Sequence, residues 1–243
     1  MEGTQNMSKI LAAMQKSGVS SQDFNQRLQT IDRGNLFPLP EADQAREFEM
    51  LAKSLINLHD GDGGKVVVFA STYGGEGSSF VSYNCAKYMT LLLNKKIAWV
   101  DGNFRKPHRK LNTLSLNFRD LLADPDKLAV DGDETEFVVI GNGSRDVKTM
   151  DLVSGPAYAR TIEKFQENFY FSIIDAAPIM ESVEVAHLAQ RAMGLVLVVQ
   201  SQKLKYEVIQ HGLDRMRSHN VNVLGTVLNK RTFQLPEFLY KRL

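Results

Sequence analysis

Residues 65–84, K-V-V-V-F-A-S-T-Y-G-G-E-G-S-S-F-V-S-Y-N, constrain the fold of this chain more than any other stretch. The run Val66, Val67, Val68, Phe69, Ala70 is apolar without alternation and short, which predicts a strand buried on both faces. Gly74, Gly75 and Gly77 follow as a turn. After them Val81, Cys85, Tyr88, Met89 and Leu92 recur at helical spacing. Strand, glycine turn and helix in that order form a phosphate-binding loop, in which backbone N–H groups and the helix N-terminus hold an anion. The pattern G-K-[ST] places a lysine after the last glycine to reach the outer phosphates, and here that residue is Ser78. Ser79, whose hydroxyl would meet Mg²⁺, is in place.

Length and charge narrow the class. A chain of 243 residues fits one α/β domain with an appendage, or two small domains, and 43% hydrophobic residues suffice for a large core. The 29 basic and 28 acidic residues nearly cancel, so no global field points to nucleic acid or an anionic membrane. A single cysteine, Cys85, excludes an internal disulfide and a cysteine-rich metal site. No signal peptide opens the sequence, and no run of about 18 apolar residues is present to span a bilayer. The expected location is cytoplasmic, peripheral to the inner face of a membrane only through a partner.

Residues 1–40 are polar and are expected to form an arm. Short amphipathic helices are predicted over 7–16 and 22–31, and Phe37-Pro-Leu-Pro40 reads as an extended linker. A helix is predicted over 41–58, with Ala45, Phe48, Leu51, Ala52 and Leu55 on one face. From Lys65 strands and helices alternate, which predicts a largely parallel sheet with helices on both faces. The expected strands are 66–70, 97–100, 137–140, 172–174, 195–199 and 223–228. The expected helices are 118–122, 156–167, 183–192 and 206–218. Asp101 and Asp175 each close an apolar strand, so both carboxylates are expected in the crevice beyond the strand ends, where two acids beside a glycine loop are suited to Mg²⁺.

Several ordered motifs resemble the bacterial tyrosine kinases (BY-kinases) of polysaccharide export, within the broader group of deviant P-loop ATPases. The loop Gly74-Gly75-Glu76-Gly77-Ser78-Ser79-Phe80 is similar to that family's P-G-E-G-K-S-T, with Asn84 and Ala86 fitting beyond it. Val100-Asp101-Gly102-Asn103-Phe104-Arg105-Lys106-Pro107 resembles an apolar strand followed by D-x-D-x-R-x-P. Ile173-Ile174-Asp175-Ala176-Ala177-Pro178 resembles I-I-D-x-x-P, and smaller matches run through 151–154, 194–199 and 223–229. The resemblance covers residues 41–243 and implies a three-layer P-loop NTPase-like domain there, beyond the 1–40 arm. It implies a nucleotide cradle of Gly74, Gly75, Glu76, Gly77, Ser78, Ser79 and Phe80, with Arg105 and Asn229 as further contacts. Ser79, Asp101 and Asp175 would be the Mg²⁺ ligands, the two aspartates standing at the family's catalytic positions.

The departures set the functional expectation. The loop lysine is replaced by Ser78, and the lysine that the broader ATPase group carries before its two glycines is Tyr73. The second aspartate of D-x-D is Asn103, and the tail after Thr232 holds one tyrosine, Tyr240, where the family has a cluster. Of the ring motif E-x-x-R-x-x-R only Glu47 survives, beside Met50 and Lys53. A charge pair at 4 Å and an effective dielectric near 20 is worth roughly 4 kcal/mol, or about a thousandfold in rate if it acts in the transition state. The expectation is a pseudokinase: a regulatory or scaffolding component of exopolysaccharide or capsule synthesis and export. It would hold ATP or ADP with Mg²⁺ weakly or not at all. Its partner would be the cytoplasmic part of a polysaccharide co-polymerase or an active kinase, with a homo-oligomer left open and no nucleic acid. The alternative is an active tyrosine autokinase or ATPase with a rewired loop, for which Arg105, Lys106 and Arg109 offer charge. A positioning ATPase of the cell-division type is disfavoured by the loss of both lysines.

Overall fold

The computed structural model describes residues 36–38, 40–59, 63–111, 114, 116–128, 137–143 and 149–231. The two short helices expected over 7–16 and 22–31 and the tail with Tyr240 lie outside the described residues. The described elements run α1 (Ala42–Asn57), β1 (Lys65–Ser71), α2 (Ser78–Leu93), β2 (Ile97–Gly102), α3 (Phe118–Ala123), β3 (Phe137–Ile140), α4 (Thr149–Ser154) and α5 (Pro156–Asn168). They continue through β4 (Phe171–Ala176), α6 (Glu184–Gln190), β5 (Gly194–Gln200), α7 (Tyr206–Ser218) and β6 (Val223–Asn229).

The strands form one sheet in the order β3-β2-β4-β1-β5-β6, with every neighbouring pair parallel. The chain builds outwards from β1 in both directions, so the order reverses beside it, and the carboxyl end of β1 opens on the crevice where such sheets hold ligands. Register brings the strand-end acids together: Asp101 on β2 pairs with Asp175 on β4, which in turn pairs with Phe69 on β1.

Period-two alternation assigns each strand residue to one of two cores. Val66, Val68 and Ala70 of β1 face the layer built from α3 to α7, with Val100, Ile174, Leu195 and Leu197 beside them. Val67 and Phe69 face the layer built from α1 and α2, with Trp99, Ile173 and Val198. The described residues thus form a three-layer α/β sandwich, the fold class expected. α4 was not foreseen, and α6 is shorter at both ends than the expected 183–192.

α2 departs from the one-faced helix read from its spacing. Ser82, Tyr83, Asn84, Ala86, Lys87 and Thr90 are buried as well as Val81, Cys85, Tyr88 and Met89. The reason is α1, which lies over the outer side of α2 and covers it, with Phe48 of α1 5.7 Å from Phe80 and 5.9 Å from Tyr88 between ring centroids. Phe37, just before α1, adds to the same aromatic cluster. Its ring stands edge-on to Tyr83 at 5.3 Å, to His108 at 5.2 Å and to Phe80 at 6.3 Å, contacts that the reading of 37–40 as a linker does not contain.

On the opposite face Phe118 is fully buried and stacks between Phe104 (5.6 Å) and Phe165 (6.0 Å). Truncating it to alanine removes both stacks and leaves a cavity among rings that cannot close over it. Phe118→Ala should therefore lower stability by about 3–5 kcal/mol in urea unfolding. A loss below about 1 kcal/mol would show that this face is not packed as described.

Candidate functional site

β1 ends at Ser71 and α2 begins at Ser78, and the six residues between them form the loop. Gly75 and Gly77 have φ of +85° and +94°, the left-handed region that glycine enters without cost. At Gly77 the requirement is doubled, because an added Cβ would come within 2.2 Å of Asn229 Nδ2. The carbonyls of three consecutive loop residues each accept one hydrogen bond from the ends of β5 and β6. Lys203 Nζ donates to Gly74 O at 3.0 Å, Lys230 Nζ to Gly75 O at 2.7 Å, and Asn229 Nδ2 to Glu76 O at 2.8 Å.

The N–H groups at the start of the loop are met by carboxylates. Glu76 is fully buried, and its Oε2 accepts from Thr72 N (2.8 Å) and Tyr73 N (3.1 Å), bracing the turn from within; Oε1 has no partner. Gly74 N donates to Glu181 Oε1 at 3.0 Å, from the segment after β4. Arg105 donates to the backbone oxygen of that same Glu181, which ties the segments after β2 and β4 together.

The two strand-end aspartates, equivalent in sequence, are not equivalent in space. Asp101 is buried with both oxygens engaged: Oδ1 accepts from Asn103 N (3.1 Å) and Oδ2 from His108 N (2.7 Å). It therefore organises the turn after β2, in which Asn103 Oδ1 accepts from Lys106 N at 3.0 Å. Asp175 is equally buried, but only Oδ1 accepts a hydrogen bond by direct contact, from Ser78 Oγ at 3.1 Å, while Oδ2 has no partner. Ser82, which takes the Trp99 Nε1–H at 2.9 Å, and Ser79 also favour the ionised form of Asp175.

Burial nonetheless dominates, pushing the Asp175 carboxyl up to about 7, with the nearby negative charge of Asp101 adding to the rise. Burial also raises Asp101, to about 6, against the lowering effect of the His108 and Asn103 amides and the Arg119 charge. An unpartnered buried oxygen on Asp175, a serine hydroxyl at Ser79 and a second carboxylate form an oxygen donor set suited to a hard cation such as Mg²⁺.

The expected residues thus meet around the loop, with two qualifications. Phe80 turns its ring into the cluster of Phe37 and Phe48, so towards the crevice it offers backbone only. Among the described residues, Arg105, Lys106 and Arg109 make no hydrogen bond to the loop. The cations that do are Lys203 and Lys230. Sequence reading missed these two and Glu181; adjacency of Lys230 to Asn229 was the one available signal.

The raised carboxyls fix the sign of a pH effect. In the unfolded chain both titrate near 3.8, whereas folded Asp175 keeps its proton to about 7. Between those values the native state binds the extra proton, so its contribution to stability is full at low pH and is lost as pH rises through 7. Asp175→Asn should consequently raise the melting temperature of the ligand-free protein at pH 8, by an amount that shrinks towards pH 4. A destabilised Asp175→Asn at pH 8 would mean that this carboxylate is held in its charged form.

No protein-family model matches the chain. Among curated proteins it is similar to tyrosine-protein kinase CpsD of Streptococcus agalactiae, at 24% identity over 212 residues, covering 84% of this chain and 90% of that protein. It is also similar to the succinoglycan biosynthesis transport protein ExoP of Rhizobium meliloti, at 23% identity over 201 residues, covering 79% of this chain but only 25% of ExoP. Among solved structures it resembles the chimerical protein CapA2B2, with a TM-score of 0.69 and 20% identity over 82% of this chain and 90% of that one. The kinase domain of the Escherichia coli tyrosine kinase ETK follows, with a TM-score of 0.62 and 19% identity over 71% of each chain. Relatives of this chain include proteins named bacterial tyrosine-protein kinases, and its fold is that of bacterial tyrosine-kinase domains and of P-loop ATPases.

Proposed function

We propose that this chain is a BY-kinase-like pseudokinase, a regulatory or scaffolding component of exopolysaccharide or capsule synthesis and export with weak or absent ATP turnover. The observation that carries the reading is at position 78. The residue that should present a positive charge to the outer phosphates is a serine, and its hydroxyl is spent on Asp175. Phosphoryl transfer depends almost wholly on positioning and electrostatics, so the loss falls more heavily on turnover than on binding. The positive φ of Gly75 and Gly77 and the start of α2 at Ser78 support a retained phosphate loop, and likeness to CpsD and ExoP supports the polysaccharide context.

Ser79 and Asp175, with Asp101 behind them, are the residues that would hold Mg²⁺, which when bound neutralises phosphate charge. The partner in this reading is the cytoplasmic part of a polysaccharide co-polymerase or an active kinase. At the membrane the chain acts through that partner; among the described residues no helix is long and apolar enough to cross a bilayer. A second reading, an active autokinase or ATPase, is favoured by the two lysines on the loop carbonyls.

Titration of Mg-ATP and Mg-ADP into the full chain, with hydrolysis followed in parallel, separates the two. Measurable binding with negligible hydrolysis is expected. Steady hydrolysis at kinase rates, abolished by Asp175→Ala, would sink the pseudokinase reading. Ser78→Lys should raise Mg-ATP affinity tenfold or more, since about 1.4 kcal/mol suffices for that and the charge pair is worth up to roughly 4. No gain would mean that the crevice is closed to phosphate.

A further inference from the structure

We infer that Lys203 and Lys230 are the phosphate-charge donors of this loop, delivering from the ends of β5 and β6 the positive charge that position 78 lacks. The ligand they would serve is an anion of the nucleoside di- or triphosphate class, so the inference rests on reading the crevice as a nucleotide site. Three observations carry it.

Both ammonium groups are already at the loop, 3.0 Å and 2.7 Å from the carbonyls of Gly74 and Gly75. Each ammonium has three N–H donors and spends one on a carbonyl, which leaves two for a ligand. Both lysine stems run beside glycines of the loop, and at Gly77 that of Lys230 shares the space with Asn229, whose Nδ2 is 2.2 Å from the place a Cβ would take. Lys203 Nζ is 3.8 Å from the place a Cβ would take on Gly75, and Lys230 Cε is 3.8 Å from that on Gly77.

The loop also shows that one of its amides takes an anion. The carboxylate of Glu181 sits on the N–H of Gly74 while Lys203 sits on the C=O of the same residue. A phosphate displacing Glu181 would meet the same N–H, with Lys203 on the carbonyl of that residue. Further in, Asp175 is fully buried with an unpartnered Oδ2, an acceptor left for a ligand or its cation in the floor of the crevice. Position 78 cannot supply the missing charge, and Arg105 is committed to the Glu181 carbonyl. A lysine on a flexible four-carbon stem is suited to moving from a carbonyl to a phosphate, where it acts as a point charge.

The alternative is that both lysines only brace the loop. Mg-ADP titrated into the full chain decides between the two. Lys203→Ala and Lys230→Ala should each weaken binding about tenfold, the loss of one charge-assisted hydrogen bond, and the double variant more than either. Lys203→Arg and Lys230→Arg, which keep the charge, should retain most of the affinity. Lys205→Ala, at an exposed neighbour with no hydrogen bond to the loop, should bind as the native chain does. The salt dependence of binding should flatten in the double variant, because fewer cations meet the phosphates. If the native chain binds Mg-ADP and the double alanine variant binds within twofold of it, the lysine assignment is wrong and the nucleotide reading stands. A lower melting temperature with an unchanged salt slope overturns it in favour of bracing. If the native chain binds neither Mg-ADP nor Mg-ATP at millimolar concentration, both the assignment and the nucleotide reading fall.

Discussion

A buried parallel strand that runs into a glycine turn leaves a row of backbone N–H and C=O groups at the floor of a crevice, and the fold around it has to satisfy them. In this protein the carbonyls of Gly74, Gly75 and Glu76 are met by donors from the far ends of β5 and β6, and the amides of Thr72, Tyr73 and Gly74 by the carboxylates of Glu76 and Glu181. The loop is thus held by three distant pieces of chain as well as by its own conformation. The strand order follows from the same need, because only a β1 set between β4 and β5 brings the segments after both within reach of it.

The electrostatics of the floor depend on how each acid is solvated by protein. Two carboxylates on paired residues of adjacent strands repel one another and are both desolvated, and the structure resolves the conflict unequally. Asp101 receives two backbone amides and becomes part of a turn; Asp175 receives hydroxyls and keeps one oxygen free. Hydroxyl donors are weaker partners for a charge than a lysine would be, which is consistent with the higher position of Asp175 on the pH scale. Ser78 therefore bears on the acid as well as on the loop that precedes it.

Much of this was legible in the sequence. The six described strands fall on the apolar runs that suggest them; β1, β2, β4 and β5 are covered on both faces and need no alternation to be recognised, whereas the edge strand β6 is largely uncovered. The glycine loop and the strand-end aspartates were legible for a related reason, since each sits at a junction where the pattern changes. α4 was not, because among the described side chains of T-M-D-L-V-S only Val153 is buried and six residues give no period. Lys203 and Lys230 were illegible on other grounds: their partners lie 129 and 155 positions away, and an exposed lysine in sequence looks like any other. The direction of the Phe80 ring was not legible either, since a motif position says nothing of which way a side chain turns once α1 lies over it.

The aromatic seat of Phe37 bears on where this protein can be cut. The first helix of the domain starts at Ala42, which makes the preceding residues look dispensable for a trimmed expression product. Yet the Phe37 ring rests on Phe80, at the base of the loop, and on His108, whose amide holds Asp101. A product begun at the helix would uncover three rings at once and loosen the neighbours of both halves of the crevice. The boundary of the working unit therefore lies upstream of its first helix.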